Sequence, residues 1–152
     1  MRRFFWLWAG IILVLFVADR ITRTLAFARP AHELIPGVLQ SAPATNRGIA
    51  LGIALPGPLA LLLVAMLLIV VAVIARQAYR NHNQVQWVAA LLVGSGAVSN
   101  LLDRLTYGYV RDFLKLSFLP TTANLGDWMI VLGTFLLILA SMPRRHTRST
   151  PP

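Results

Sequence analysis

Read from its first residue, the chain alternates long apolar runs with shorter stretches rich in charge, proline or glycine. Phe4 to Ala18 is apolar, and the run continues towards Phe27 if Asp19, Arg20 and Arg23 sit at the far membrane interface. Leu59 to Ala75 is unbroken, with Pro58 placed to start a helix. Val85 to Leu102 is the third run, and its Gly94, Ser95, Gly96, Ala97 and Ser99 are small residues that let helices approach closely. Leu125 to Met142 is the fourth, closed by Pro143 and the basic Arg144-Arg145-His146-Thr147-Arg148. A helix crossing the hydrocarbon core needs about 20 apolar residues. The pattern therefore predicts spans at approximately 4–25, 59–75, 85–102 and 125–142.

The segments between the runs differ in character. Pro30 to Pro58 carries Pro30, Pro36, Pro43, Pro56 and Pro58 with Gly37, Gly48, Gly52 and Gly57, residues that break helices and make turns. So irregular a backbone is not tolerated against lipid. It reads as an extramembrane platform over 30–58, in which Gly37-Val38-Leu39 and Gly48 to Leu55 pair as small strands on the membrane surface. Tyr107 to Thr122 is a second loop on the same side, with Gly108, Pro120 and apolar residues suited to the interface. The fold class expected is an all-α membrane protein, a four-transmembrane-helix bundle with a small extramembrane β-like platform, as a single domain over 1–152. A basic start at Met1-Arg2-Arg3 and the small-residue stretch Ala26-Phe27-Ala28 also spell a cleavable signal peptide. Asp19 and Arg20 interrupt that pattern and three more spans follow, so the first run is read as a retained helix.

Composition agrees with a membrane protein. Apolar residues make up 57% and charged residues 12%, where a soluble domain carries about a quarter charged. The formal charge of +9 comes from short flanks around apolar runs, the pattern of headgroup anchoring and not of a nucleic-acid-binding face. With no cysteine, disulfides, thiol nucleophiles and Cys-based metal sites are excluded. Arg2, Arg3, Arg76, Arg80, Arg144, Arg145 and Arg148 flank one side, against Arg20, Arg23, Arg29, Arg47, Arg104, Arg111 and Lys115 on the other, so charge counting does not orient the chain. All five acidic residues fall on the long-loop side.

Those acids are where chemistry is expected. Glu33 in the Pro-rich loop reads as solvated. An ionisable group at membrane depth is costly and points to function by default, yet each of the others also has a structural reading as a helix cap or ion-pair partner. Asp19 lies next to Arg20 and Arg23; Asp103 beside Arg104 reads as a pair that fixes the loop entry. Asn100, Asp103 and Arg104 share one arc of the third helix. Asp112 and Asp127, flanked by Phe113 and Trp128, are harder to explain structurally, and Asp127 falls in the first turn of the fourth run, where a helix N-terminus favours an anion. Two carboxylates brought together share one proton, so that one serves as base on water and the other as acid.

Other chemistries fit less well. His32, His82 and His146 lie in separate segments, which leaves a metal site without ligands. Lys115, the lone lysine, has Ser117 as its nearest serine, two residues away. Ser95 within Gly94-Ser95-Gly96 has no histidine in another span to activate it, and these small residues read as packing.

With these residues in order, the chain resembles lipoprotein signal peptidase (signal peptidase II) over nearly its whole length. Asp19-Arg20-Ile21-Thr22-Arg23 is similar to the family's Asp-x-x-Thr-Lys/Arg block, and Asn46 to Gly52 to its Asn-x-Gly-Ala-Ala-Phe-containing loop. Asn100-Leu101-Leu102-Asp103-Arg104, followed by Gly108 to Phe113, matches its longest motif, and Asn124-Leu125-Gly126-Asp127 its closing Phe-Asn-x-Ala-Asp block. Departures are Arg20 for glutamine, Ile49 and Leu51 for alanine and phenylalanine, Ala123 for phenylalanine and Gly126 for alanine.

The resemblance implies an aspartyl endopeptidase of the bacterial inner (cytoplasmic) membrane that cuts signal peptides from diacylglyceryl-modified prolipoproteins. It implies cytoplasmic termini and a site near the outer leaflet, with Asp112 and Asp127 as the catalytic pair. Asn46, Gly48, Asn100, Arg104 and Asn124 are then expected to hold substrate backbone or dyad, with Asp19 and Asp103 supporting. No metal or cofactor is expected. Prolipoproteins, membrane lipids and globomycin-type inhibitors are the expected partners, nucleic acid is not, and the chain is expected to be a monomer. The alternatives are a non-catalytic membrane carrier or lipid-binding subunit using Asp103 and Asp112, and a paralogous peptidase with another membrane peptide as substrate.

Overall fold

A computed structural model of the chain describes residues 2–48 and 57–142. In order it contains α1 (Arg2–Phe27), β1 (His32–Ile35), β2 (Leu39–Asn46), α2 (Gly57–Arg80), α3 (Gln84–Tyr107), β3 (Val110–Leu116), β4 (Thr122–Ala123) and α4 (Leu125–Ser141). At about 1.5 Å per residue, a 24-residue helix rises roughly 36 Å, more than the ~30 Å hydrocarbon core. α1, α2 and α3 are all long and apolar enough to cross a membrane; α4, with 17 residues, is shorter.

α3 is the centre of the bundle and packs against α1, α2 and, most extensively, α4. Its Ala89 and Ala90 are fully buried. Ile12 of α1, Val88 and Leu92 of α3 and Met129 of α4 form one apolar cluster; Val71 of α2 with Ala90 and Val93 of α3 forms another. Outward faces are apolar too: Trp6, Leu13, Val14, Ile69, Val131 and Phe135 are largely exposed. Between helices in lipid, attraction comes from close packing. Small residues supply it: a Cβ on Gly96 would collide with the Gly126 carbonyl of α4, and one on Gly133 would lie 2.7 Å from the Ala89 carbonyl oxygen.

The helix ends are set locally. Asn83 caps α3 by accepting from the Gln86 N–H, and Gly108 ends it in a left-handed conformation at φ 78°, donating its N–H to the Arg104 carbonyl. That turn sends the chain straight into β3.

The strands form one antiparallel sheet in the order β1-β2-β3-β4. Its make-up corrects the expectation of a platform built from 30–58 alone. Gly37 and Val38 form the turn between β1 and β2, and half the strands come from the second loop. The pairing expected of Gly48 to Leu55 lies mostly outside the described residues. β2 aligns Leu39 with Leu116, Ala44 with Asp112 and Asn46 with Val110, with a register shift between Ser41 and Ala44. Pro43 sits in that shift, where its missing N–H costs no ladder bond.

Candidate active site

Each aspartate and asparagine singled out in the sequence comes to the junction where α1, α3 and α4 meet the sheet. Asp112 is placed by β3 and is 1% exposed. On β2, Asn46 stands two residues from Ala44, the residue opposite Asp112, so the two side chains are diagonal neighbours on one face. The Asn46 amide donates to Asp112 Oδ2 at 3.0 Å, and its oxygen accepts the Gly48 N–H at 2.9 Å.

Asp127 is placed by the start of α4. Asn124 is the N-cap: its Oδ1 accepts the Asp127 N–H at 2.9 Å, and Asp127 Oδ2 accepts the Asn124 N–H at 3.2 Å. This is a capping box written with asparagine and aspartate. The other end of Asn124 donates through Nδ2 to Asp112 Oδ1. One fully buried residue therefore bonds both acids, Asp112 through its side-chain NH2 and Asp127 through its backbone N–H. On α3, Asn100 Nδ2 donates to Asp127 Oδ1 at 2.8 Å. Burial first, and then the Asp127 charge, raises Asp112 to about 6, against the opposing donation from Asn124 and Asn46.

Beneath this pair lies a buried ionic cluster. Asp19, fully buried, accepts from Arg23 Nε at 2.8 Å, from Ser99 Oγ and from the Gly126 N–H at 2.9 Å. Asp103, also fully buried, accepts from Arg20 at 2.7 Å, Arg23 at 2.8 Å and Arg111 at 3.0 Å. The Arg111 guanidinium also lies over the Tyr107 ring, 4.5 Å from its centroid. No buried side-chain nitrogen or oxygen among the described residues lacks a partner. Such a cluster avoids the cost that unpaired charge carries out of water.

The expected pairing of Asp103 with Arg104 is not formed. Consecutive helix positions point about 100° apart, and Arg104 turns instead to the Gly48 carbonyl at 2.7 Å and the Asn100 carbonyl at 3.3 Å. Arg104 thereby ties the end of β2 to α3.

Arg23 entered the sequence reading only as a neighbour of Asp19, and that ion pair is formed; its bonds to Asp103, Asn100 and Asn124 were not foreseen. Its spacing of four from Asp19 was the one local signal. Ser99, Arg20 and Arg111 were missed as well, because their partners lie eight to about eighty residues away. No group of three or more His, Asp or Glu side chains that could hold a metal ion occurs among the described residues.

The family model described as signal peptidase (SPase) II matches residues 11–143. The lipoprotein signal peptidase of Syntrophomonas wolfei is 33% identical over 136 residues, covering 87% of this chain and 89% of that protein. That of Aquifex aeolicus is 32% identical over 146 residues, covering 91% and 87%. Among solved structures, a bacterial membrane enzyme determined by the in meso method superimposes with a TM-score of 0.78 at 23% identity, over 88% of this chain and 85% of the other. A second, of the same description, gives 0.71 at 22% identity. Both likenesses bear on the fold.

Proposed function

The chain belongs to the signal peptidase (SPase) II family, and from that premise we propose that it cleaves signal peptides from lipid-modified prolipoproteins with Asp112 and Asp127 as an acid–base pair. The observation that carries the reading is Asn124: its buried side chain donates to the Asp112 carboxylate and accepts the Asp127 backbone N–H, while its own N–H donates to the Asp127 carboxylate, so one residue ties the two aspartates together.

In this scheme the pair shares one proton and Asp112 carries it at the outset, its burial and the Asp127 charge both favouring the protonated form there. Asp127 takes a proton from a water molecule as its oxygen attacks the scissile carbonyl carbon, while Asp112 delivers its proton to the carbonyl oxygen. The tetrahedral intermediate collapses when Asp127 returns its proton to the leaving amide nitrogen and Asp112 recovers one from the hydroxyl. Asn46, Asn100 and Asn124 hold the pair; Arg104, through the Gly48 carbonyl, sets the strand end against which substrate backbone lies. Asp19 and Asp103 support the site by neutralising its arginines.

The same reading makes 1–152 one peptidase domain and α4 a short fourth span. It puts the termini on the cytoplasmic side and the sheet at the outer leaflet of the bacterial inner membrane. Lipids surround a monomer, and globomycin-type inhibitors occupy the site.

Incubating the purified protein with a diacylated prolipoprotein, with and without globomycin, tests it. A shortened product that disappears with inhibitor and in Asp112→Asn and Asp127→Asn is expected, both variants inserting and folding normally. Full cleavage by both variants would end the assignment of the pair.

A further inference from the structure

We infer that Arg23 is a positioning residue for this site, setting which end of Asn100 and Asn124 faces the acids. The inference rests on the acid–base reading of Asp112 and Asp127 above.

An asparagine amide offers an acceptor at one end and two donors at the other, so anchoring its oxygen decides that its NH2 group points the opposite way. The Arg23 Nη2 donates to Asn100 Oδ1 and to Asn124 Oδ1, each at 2.7 Å. The NH2 groups those oxygens leave free are the ones that reach Asp127 and Asp112. Arg23 is held for the task from behind, with Nε on Asp19 and Nη1 on Asp103, both at 2.8 Å, and it is 0% exposed. Gly126 leaves it room: a Cβ there would lie 2.9 Å from Arg23 Nη2.

The two amides do not depend on Arg23 equally. Asn124 keeps a second anchor, the Asp127 N–H. Asn100 has no other donor on its oxygen among the described residues. Without Arg23, Asn100 is free to turn its carbonyl towards Asp127, replacing a donor with a repulsive oxygen. Asn46 serves as the internal control, since the Gly48 N–H anchors its oxygen independently of Arg23.

Kinetics on a diacylated prolipoprotein test this. Arg23→Met alone strands Asp19, so it is combined with Asp19→Asn, which removes that charge; Asp103 keeps Arg20 and Arg111. The double variant is expected to melt within a few degrees of the parent, with kcat at least about tenfold lower and KM within about twofold. Adding Asn100→Ala to it should cost under about threefold more, whereas Asn46→Ala should cost its full single-variant factor, because only residues that act through one another are non-additive. Arg23→Lys, with three donors on one nitrogen, should restore most of kcat.

A double variant with parental kcat, or a full additional loss from Asn100→Ala, would overturn the inference. Failure of the double variant to fold would overturn it too, since charge balance would then not be separable from anchoring. If the unaltered protein fails to cleave the prolipoprotein, the proposed function falls instead.

Discussion

Asp112 combines almost complete burial with a second carboxyl group nearby and two amide donors. Burial and the neighbouring charge win, so its proton is held up to about pH 6, where an unfolded aspartate releases it near 3.9. The sign follows from linkage. The folded chain binds a proton that the unfolded chain does not, so this stabilisation is complete below the unfolded value and is lost as pH rises through about 6. Between pH 7 and pH 5 the protein should gain about 1 kcal/mol, read as a rising melting temperature in detergent micelles. Asp112→Asn should flatten that gain. An unchanged slope in the variant would assign the titration elsewhere. At this scale the acids were legible in the sequence, because a carboxylate in so apolar a chain needs a reason. Arg23 was not, since three of its four partners are 77 to 101 residues distant. Asp103 and Arg104 misled because neighbours in sequence are not neighbours on a helix face.

The first turn of α4 carries structure and site in one element. Asn124 closes the capping box with Asp127 and also reaches Asp112, so its two roles separate by substitution. Asn124→Ala should lose about 1 kcal/mol of cap stability, together with kcat. Asn124→Ser should recover the stability, since a hydroxyl caps a helix well, but not kcat, since it does not span to Asp112 with an amide donor. Thermal melts and cleavage rates on the pair decide it; recovery of both by serine would reduce Asn124 to a cap. The apolar runs announced the helices, and Asn124 to Asp127 announced the start of α4. The sheet was half hidden. Glycine and proline pointed to strands in the first loop, whereas β3 is buried along its first four residues and carries no strict polar–apolar alternation to announce it, and its partner β2 contains Pro43 at a register shift.

For the molecule as a whole, the site depends on how closely α3 and α4 approach, because Asn100 stands on one and Asp127 on the other. Glycines set that approach. Gly96 faces the Gly126 backbone one turn from Asn100, and Gly133 faces Ala89 two turns further along α4. Gly94 differs, since a Cβ there meets Val71 of α2 at 3.4 Å, ordinary contact. Backbone cannot yield as a side-chain end can, so Gly96→Ala and Gly133→Ala should each cost about 1–3 kcal/mol by overpacking. Gly94→Ala should change stability by no more than about 0.5 kcal/mol. The consequence for catalysis grades with distance from the acids: Gly96→Ala wedges the helices apart beside Asn100 and should lower kcat, whereas Gly133→Ala separates them about 10 Å from Asp127, at about 1.5 Å of rise per residue, and should mainly lower the melting temperature. Equal losses of kcat from both would mean that the helices move as rigid rods. Parental behaviour from both would mean that the α3–α4 seam does not fix the geometry of the site.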